Sequence, residues 1–353
     1  GLNYKNIPKA LVLFHKYPGH ARTPFEEHLI EGKMYALSAK KEINLHFTIQ
    51  EKFQTLFEKR INHALKEFLK DEELKFNLSF SEQSQSTDSI ALKKNNKLLR
   101  DKKNQPVLRP GGHGALIHNL NTQDADIIFI KNIDNVAPDN IKHETVLYKK
   151  FLGGLLITYR DKIYDILNRL DKSPLPEGDE WDKILDFVNN KLFINNISDN
   201  KEKAISELKW LLNRPIRVCG MVQNSSEPGG GPFWVKNDNT SLQIVEKNQI
   251  DLENEDQLDK FENSTHFNPV DIVCSVKDYK GKKFNLLNYR DEDSGLVIEK
   301  SHGTENIKSY EQPGLWNGGM SNWLSIFVEV PLITFNPVKE LNDLLRMEHQ
   351  TAK

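Results

Sequence analysis

Asp126-Ile127-Ile128-Phe129-Ile130-Lys131-Asn132-Ile133-Asp134-Asn135 is the stretch on which the fold turns. Four successive apolar residues, Ile127 to Ile130, predict a strand buried on both faces, which requires helices on either side of a parallel-containing sheet. The run then gives way to Asn132, Asp134 and Asn135. In open α/β sheets ligands bind beyond the carboxyl ends of the strands, so these polar side chains stand where a ligand would be met. Asp134 suits magnesium (Mg2+), whose oxygen shell usually includes one or two carboxylates and substrate phosphates. An Asx turn or a helix cap is the simpler account of the same residues.

Upstream, Phe53, Leu56, Phe57, Ile61, Ala64, Leu65 and Phe68 recur at three- and four-residue steps and predict an amphipathic helix over 51–69. Strand-like runs at 45–49 and 74–80 flank it, so this region reads as a βαβ unit. Residues 7–14 predict another buried strand. Downstream, helices are expected over 140–170, 181–192 and 199–213, with a loop at 173–178. Beyond Pro215 the texture changes to short strands at 216–222, 233–235, 242–245, 271–276, 284–287 and 325–330, then a helix over 337–347. The expectation is an α/β fold with a mixed, mainly parallel sheet flanked by helices. Its parts are an α/β core segment (1–139), a helical insertion (140–214) and a strand-rich second half with a C-terminal helix (215–353).

Composition narrows the function classes. The chain has 353 residues, with Lys+Arg 48 against Asp+Glu 50. Nucleic-acid binding favours a basic excess, which this balance lacks. Two cysteines, Cys219 and Cys274, supply neither a disulfide framework nor a four-thiolate metal site, which suits a reducing cytoplasm. The longest apolar run, 151–159, is too short to cross a bilayer, and no export signal is visible. Membrane and nucleic acid are therefore not expected partners, and nothing specifies an oligomeric state.

Other segments carry candidate chemistry. Arg109-Pro110-Gly111-Gly112-His113-Gly114 lets a backbone approach a phosphate or a base closely, although a plain turn before a helix reads the same way. Glu227-Pro228-Gly229-Gly230-Gly231-Pro232-Phe233-Trp234 suggests a tight hairpin or a close approach to ligand. Lys339, in Phe335-Asn336-Pro337-Val338-Lys339, stands at an expected helix start. A cation is disfavoured there unless an anion compensates, which makes it a candidate phosphate ligand. His15, His20 and His28 gather near Glu26, Glu27 and Glu31, in no spacing that fits a zinc motif.

Taken in order, these segments resemble the sugar-nucleotide pyrophosphorylases of the UDP-glucose and UDP-N-acetylhexosamine type. The resemblance rests on Gln83-Ser84, Pro110 to Gly114, Asn132 to Asn135, Glu246 with Gln249, Phe267-Asn268 and Pro337-Val338-Lys339, and runs from about residue 7 to 347. The chain as a whole also resembles an uncharacterised bacterial family related to those enzymes. The resemblance implies a nucleotide-diphospho-sugar transferase-like, Rossmann-like fold. It implies that Gln83, Gly111, Gly112, His113 and Gly114 meet the nucleotide. Asn132, Gly230, Glu246 and Asn268 would surround the sugar, while Lys9, Asp134 and Lys339 carry the chemistry and Asp134 holds magnesium. The partners would be a nucleoside triphosphate, UTP favoured, and a sugar 1-phosphate. The glycine-rich triphosphate loop that precedes the Pro-Lys pair in those enzymes has no counterpart before Pro8-Lys9. The implied expectation is a nucleotide-binding half without its first strand and loop, and little turnover from this stretch alone. A non-catalytic sugar-nucleotide binder of the same fold is the alternative. A glycosyltransferase is less apt, because Asp124-Ala125-Asp126 precedes the strand instead of ending it.

Overall fold

The computed structural model describes residues 7–70, 73–224, 230–236, 240–302 and 305–351. The chain opens with a one-turn 3-10 helix at Lys9–Leu11 and a hairpin of β1 (His15–Tyr17) and β2 (His20–Arg22). The extended strand expected over 7–14 does not form. Ala10, Leu11, Val12 and Phe14 are buried as expected, the first two in the turn that follows Pro8 and the others in the segment leading to β1.

Helix α1 (Pro24–Tyr35) starts at a capping box. The Thr23 side chain accepts from the Glu26 backbone N–H, Glu26 reaches back to Thr23, and proline occupies the first turn. Strand β3 (Glu42–Thr48), α2 (Gln54–Glu67) and β4 (Lys75–Ser81) make the expected βαβ unit, with β3 and β4 parallel. Phe25, Leu29, Phe57 and Ala64 are buried together between α1, α2 and these strands.

Strands β5 (Ser89–Lys93) and β6 (Leu108–Arg109) lead to α3 (Leu116–Thr122) and β7 (Ile128–Ile130). Three helices follow in succession: α4 (Lys142–Leu170), α5 (Asp179–Lys191) and α6 (Lys201–Leu212). Strand β8 (Ile216–Gln223) is buried along all but its last residue. The hairpin of β9 (Gly231–Lys236) and β10 (Thr240–Val245) precedes α7 (Glu255–Glu262) and β11 (His266–Ser275). The last strands are β12 (Leu296–His302), β13 (Glu305–Glu311) and β14 (Leu324–Glu329).

The central sheet has the order β14-β8-β11-β7. Only β14 and β8 pair in parallel. Strand β11 is antiparallel to both β8 and β7, so β14, β8 and β7 run one way around a reversed neighbour. The sheet is therefore mixed, and the description as mainly parallel fits these strand directions but not the hydrogen-bonded pairs. One face of β8, with Ile216, Val218 and Val222, packs on Leu152 and Leu156 of α4. The other, with Cys219 and Met221, packs on Ile244, Ile272, Ile130 and Trp316. A second, antiparallel sheet, β12-β13-β5-β6, is held beside the glycine-rich segment that follows β6.

Two further expectations are corrected. Residues 284–287 are no strand: Asn285 caps a 3-10 turn at Leu286–Tyr289, which drops Leu286 into the core. Residues 337–347 form no α-helix. Asp343 turns back to accept from the backbone N–H groups of Lys339 and Glu340, leaving 3-10 turns at Leu341–Leu345 and Met347–His349. Among the described residues, no helix is long and apolar enough to cross a membrane.

Candidate functional site

Beyond β7, the polar residues are gripped by the two ends of the chain. Lys9 Nζ donates to Asp134 Oδ2 at 2.8 Å across 125 positions, with the Lys9 side chain 40% and that of Asp134 19% exposed. The Val338 N–H donates to the Asp134 carbonyl at 3.2 Å, and Asn135 bridges to Pro337. Buried Asn135 accepts from the Asn336 N–H at 2.8 Å. The turn at 132–135 is thus a backbone-closed turn, with the Asn135 N–H donating to the Asn132 carbonyl, fastened to the 336–339 segment. Asn132 is exposed, with its carbonyl accepting from the Asn135 N–H.

Lys339 is exposed, and its Nζ lies 5.9 Å from the centroid of Phe267, which in turn packs on Phe335 at 5.3 Å. It does not cap a helix, so the dipole argument for an anion at this position falls away. The Asn268 side chain and residues 227–229 lie outside the described residues.

The glycine-rich loop sits against the protein's own backbone. A Cβ on Gly111 would lie 2.4 Å from the Thr87 carbonyl oxygen, and one on Gly114 would lie 2.1 Å from that of Pro313. At Gly112, φ is +76°, a conformation that favours glycine, and the Glu311 side chain is adjacent. Gly230 likewise presses on the Val245 carbonyl, 2.1 Å from where its Cβ would be. The glycines here serve chain-on-chain packing. Gln83 Nε2 donates to Thr87 Oγ1 at 3.4 Å, which places it beside Gly111.

His113 ties this loop to two others. Its Nδ1 accepts from the Leu315 N–H at 3.2 Å, which leaves Nε2 as the donor edge of the ring. Nε2 lies 3.6 Å from Glu246 Oε1, and the ring packs on Trp316 with centroids 4.8 Å apart. Glu246 and Gln249 form a capping box, with Gln249 Oε1 accepting from the Glu246 N–H at 3.0 Å. The same Oε1 accepts from Asn317 Nδ2 at 2.9 Å. Trp316 and Ile130, the last residue of β7, both pack against the core cluster of Cys219, Met221, Ile244 and Ile272, which brings the glycine-rich loop toward the strand end.

Asn317 and Trp316, in Gly314-Leu315-Trp316-Asn317-Gly318-Gly319, are additions that sequence reasoning missed. One tryptophan and an amide among glycines offered the only signal.

The histidine and glutamate cluster near the start is a buried ion network. Glu27 accepts from His15 Nδ1 at 2.9 Å, Tyr17 Oη at 2.8 Å and Lys142 Nζ at 2.6 Å, with both Lys142 and Glu27 buried. Glu31 takes Lys131 at 2.7 Å, and Lys149 donates to Asp271. Burial alone would raise the Glu27 carboxyl, but Lys142 and His15 outweigh it and hold it down to about 2. Burial likewise raises Glu31, and Lys131 and Lys142 bring it down to about 2. Burial pushes His28 down to about 4, with its Nε2 donating to the Ile133 carbonyl at 3.1 Å. Among the described residues, no group of three or more His, Cys, Asp or Glu side chains is arranged to hold a metal ion. Asp134 presents a single carboxylate, which fits a magnesium that takes its other oxygens from phosphate and water.

A family model described as a domain of unknown function, DUF4301, matches residues 1–350. No curated protein matches the sequence. Among solved structures, two variants of UDP-glucose pyrophosphorylase from Leishmania major in complex with UDP-glucose are similar. The first is 13% identical, with 96% of this chain and 61% of that chain covered and a TM-score of 0.50. The second is 12% identical, with 96% and 60% covered and a TM-score of 0.50. A UDP-N-acetylglucosamine pyrophosphorylase from Entamoeba histolytica, described as putative in its own structure report, is 13% identical, with 95% and 72% covered and a TM-score of 0.48. The chain spans about three fifths of the length of the Leishmania enzymes. At these identities the likeness to the Leishmania structures is one of fold, a mixed α/β fold of the pyrophosphorylase kind that the order of the motifs resembles.

Proposed function

The chain belongs to the DUF4301 family, a domain of unknown function, and on that footing we propose that it is a sugar-phosphate nucleotidyltransferase-like protein. It would bind a nucleoside triphosphate, UTP by preference, and a sugar 1-phosphate, in the cytoplasm. The observation that carries this reading is the meeting of three distant segments at Asp134: Lys9 on its carboxylate and Val338 on its carbonyl, with Lys339 following.

In the proposed reaction, a phosphate oxygen of the sugar 1-phosphate attacks the α-phosphorus of the triphosphate. The bond to the β-phosphate oxygen breaks and pyrophosphate leaves with the electron pair. Such a displacement needs orientation and charge neutralisation more than covalent help. Lys9 and Lys339 supply positive charge to the phosphates. Asp134 would hold magnesium, which when bound draws negative charge from phosphate oxygens. Gln83 and the 111–114 loop face the base, with the His113 edge, Asn132, Gly230, Glu246 and Asn268 toward the sugar. In this reading, residues 1–139 and 215–353 are the two halves of the site, and 140–214 is a helical buttress.

Two measurements test it. Pyrophosphate release is followed from each triphosphate with a panel of sugar 1-phosphates, and UTP binding is measured with magnesium present. Asp134→Asn should weaken magnesium-dependent UTP binding by about tenfold or more, the worth of one charge-assisted contact, with the fold intact. Equal UTP affinity in the variant and the wild type would remove Asp134 from the site. UTP binding that depends on Asp134 without release of pyrophosphate would mark a binder of sugar nucleotides.

A further inference from the structure

Between β13 and β14 the chain runs Gln312-Pro313-Gly314-Leu315-Trp316-Asn317-Gly318-Gly319-Met320-Ser321-Asn322-Trp323. Leu315, Met320 and Trp323 anchor it in the core. Arg217 of β8, fully buried, donates to the Trp316 carbonyl at 2.6 Å and to Ser325 Oγ at 2.7 Å, and so positions the loop. Asn317 is only 4% exposed, yet its Oδ1 is buried with no hydrogen-bond partner, as is Trp316 Nε1. Buried polar atoms of this kind are rare because desolvation without a partner is costly. Oδ1 lies 1.9 Å from where a Cβ on Gly314 would stand, and His113 Cε1 is 2.9 Å from the same point. The unmet acceptor is therefore beside the imidazole whose other edge faces Glu246.

The chemistry of this corner is opposite to that of the Lys9 and Lys339 end. It holds a carboxylate and an amide carbonyl, which accept hydrogen bonds from hydroxyls and repel phosphate, and one imidazole N–H, which donates to a hydroxyl oxygen. We propose that Asn317, held by Gln249 and by the Arg217-positioned loop, is a specificity-determining residue that accepts a hydrogen bond from a ring hydroxyl of the sugar. The inference rests on the sugar-nucleotide reading above and assigns the polyhydroxylated end of the ligand to the Glu246 and Asn317 corner.

The test is calorimetric titration of wild type and Asn317→Ala with UDP and with UDP-glucose, alongside UDP-deoxyglucoses that lack one hydroxyl each. Asn317→Ala should weaken UDP-glucose by about tenfold and leave UDP unchanged. One deoxy analogue should bind wild type correspondingly less well and show no further loss in the variant. Gln249→Ala, which frees the Asn317 amide, should produce a smaller loss of the same selectivity. Equal loss of UDP and UDP-glucose, or no loss of either, overturns the proposal while the sugar-nucleotide reading stands. Wild type that binds neither UDP nor any UDP-sugar overturns that reading and the proposal with it.

Discussion

Lys142 enters the interior with its ammonium 1% exposed, between the Glu27 carboxylate at 2.6 Å and the Ala137 carbonyl at 2.6 Å. Removing one member of a buried pair strands the other charge, whereas replacing both can be nearly neutral. Lys142→Met should therefore cost about 3–5 kcal/mol in urea unfolding, and adding Glu27→Gln should recover much of it. Additive losses in the double variant would contradict the pairing. None of this was legible in the sequence. Glu27 and Glu31 read as part of a histidine and glutamate cluster with no zinc spacing, and their partners Lys142 and Lys131 lie about a hundred positions away. Asp134 was legible as a carboxylate beyond a strand end and Lys9 only through the resemblance, and their contact at 2.8 Å depends on a fold-wide return of the chain. Asn317 was invisible because a glycine-rich loop has no periodicity to read.

Helix α1 carries the consequence for pH. His28 has an ordinary value of 6.5 and is pushed to about 4, while Glu27 and Glu31 fall from 4.5 to about 2. Between 6.5 and 4 the unfolded chain takes a proton on His28 that the folded chain refuses. From 4.5 down toward 2 the same holds for the two carboxyls. All three shifts make stability fall as pH falls, starting near 6.5. Urea midpoints between pH 8 and 4 should decline on the acid side, and His28→Asn should flatten the first part of that decline. A midpoint that rises on acidification would contradict the assignment. The glycine-rich loop predicts a second effect at this scale. Gly114→Ala drives a Cβ against the Pro313 carbonyl, a backbone atom that cannot swing aside, and should lower stability by about 1–3 kcal/mol. Strands and helices with strong periodicity, such as β8, α2 and the βαβ unit, were legible. The 337–347 segment was not, because its apolar spacing resembles a helix while Asp343 bonds back to Lys339 and Glu340. Glycine at 111, 114 and 230 reads as a close backbone approach, and on the side a Cβ would occupy the close neighbour is the chain's own backbone.

Across the whole molecule, charge and hydrogen-bonding capacity sort into two regions around the ends of the central strands. The two lysines and Asp134 gather where the N-terminal turn meets the 336–339 segment, and the acceptors Glu246 and Asn317 gather across Trp316 and Ile130. The fold itself was legible from the order of several weak motifs, each ambiguous alone. Their spatial grouping was not, because it depends on the reversed strand β11 and on the loop between β13 and β14. A cleft of about 490 Å³ lies elsewhere, lined by Trp181, Asn189, Asn196, Ser198 and Lys201 of the helical segment, and is the rival location for a ligand. A crystal structure of the protein soaked with UDP-glucose and magnesium separates the two. The diphosphate should lie beside Lys9, Asp134 and Lys339, with the glucose ring toward Glu246 and Asn317. Ligand bound in the Trp181 cleft, or a diphosphate remote from Asp134, would contradict it.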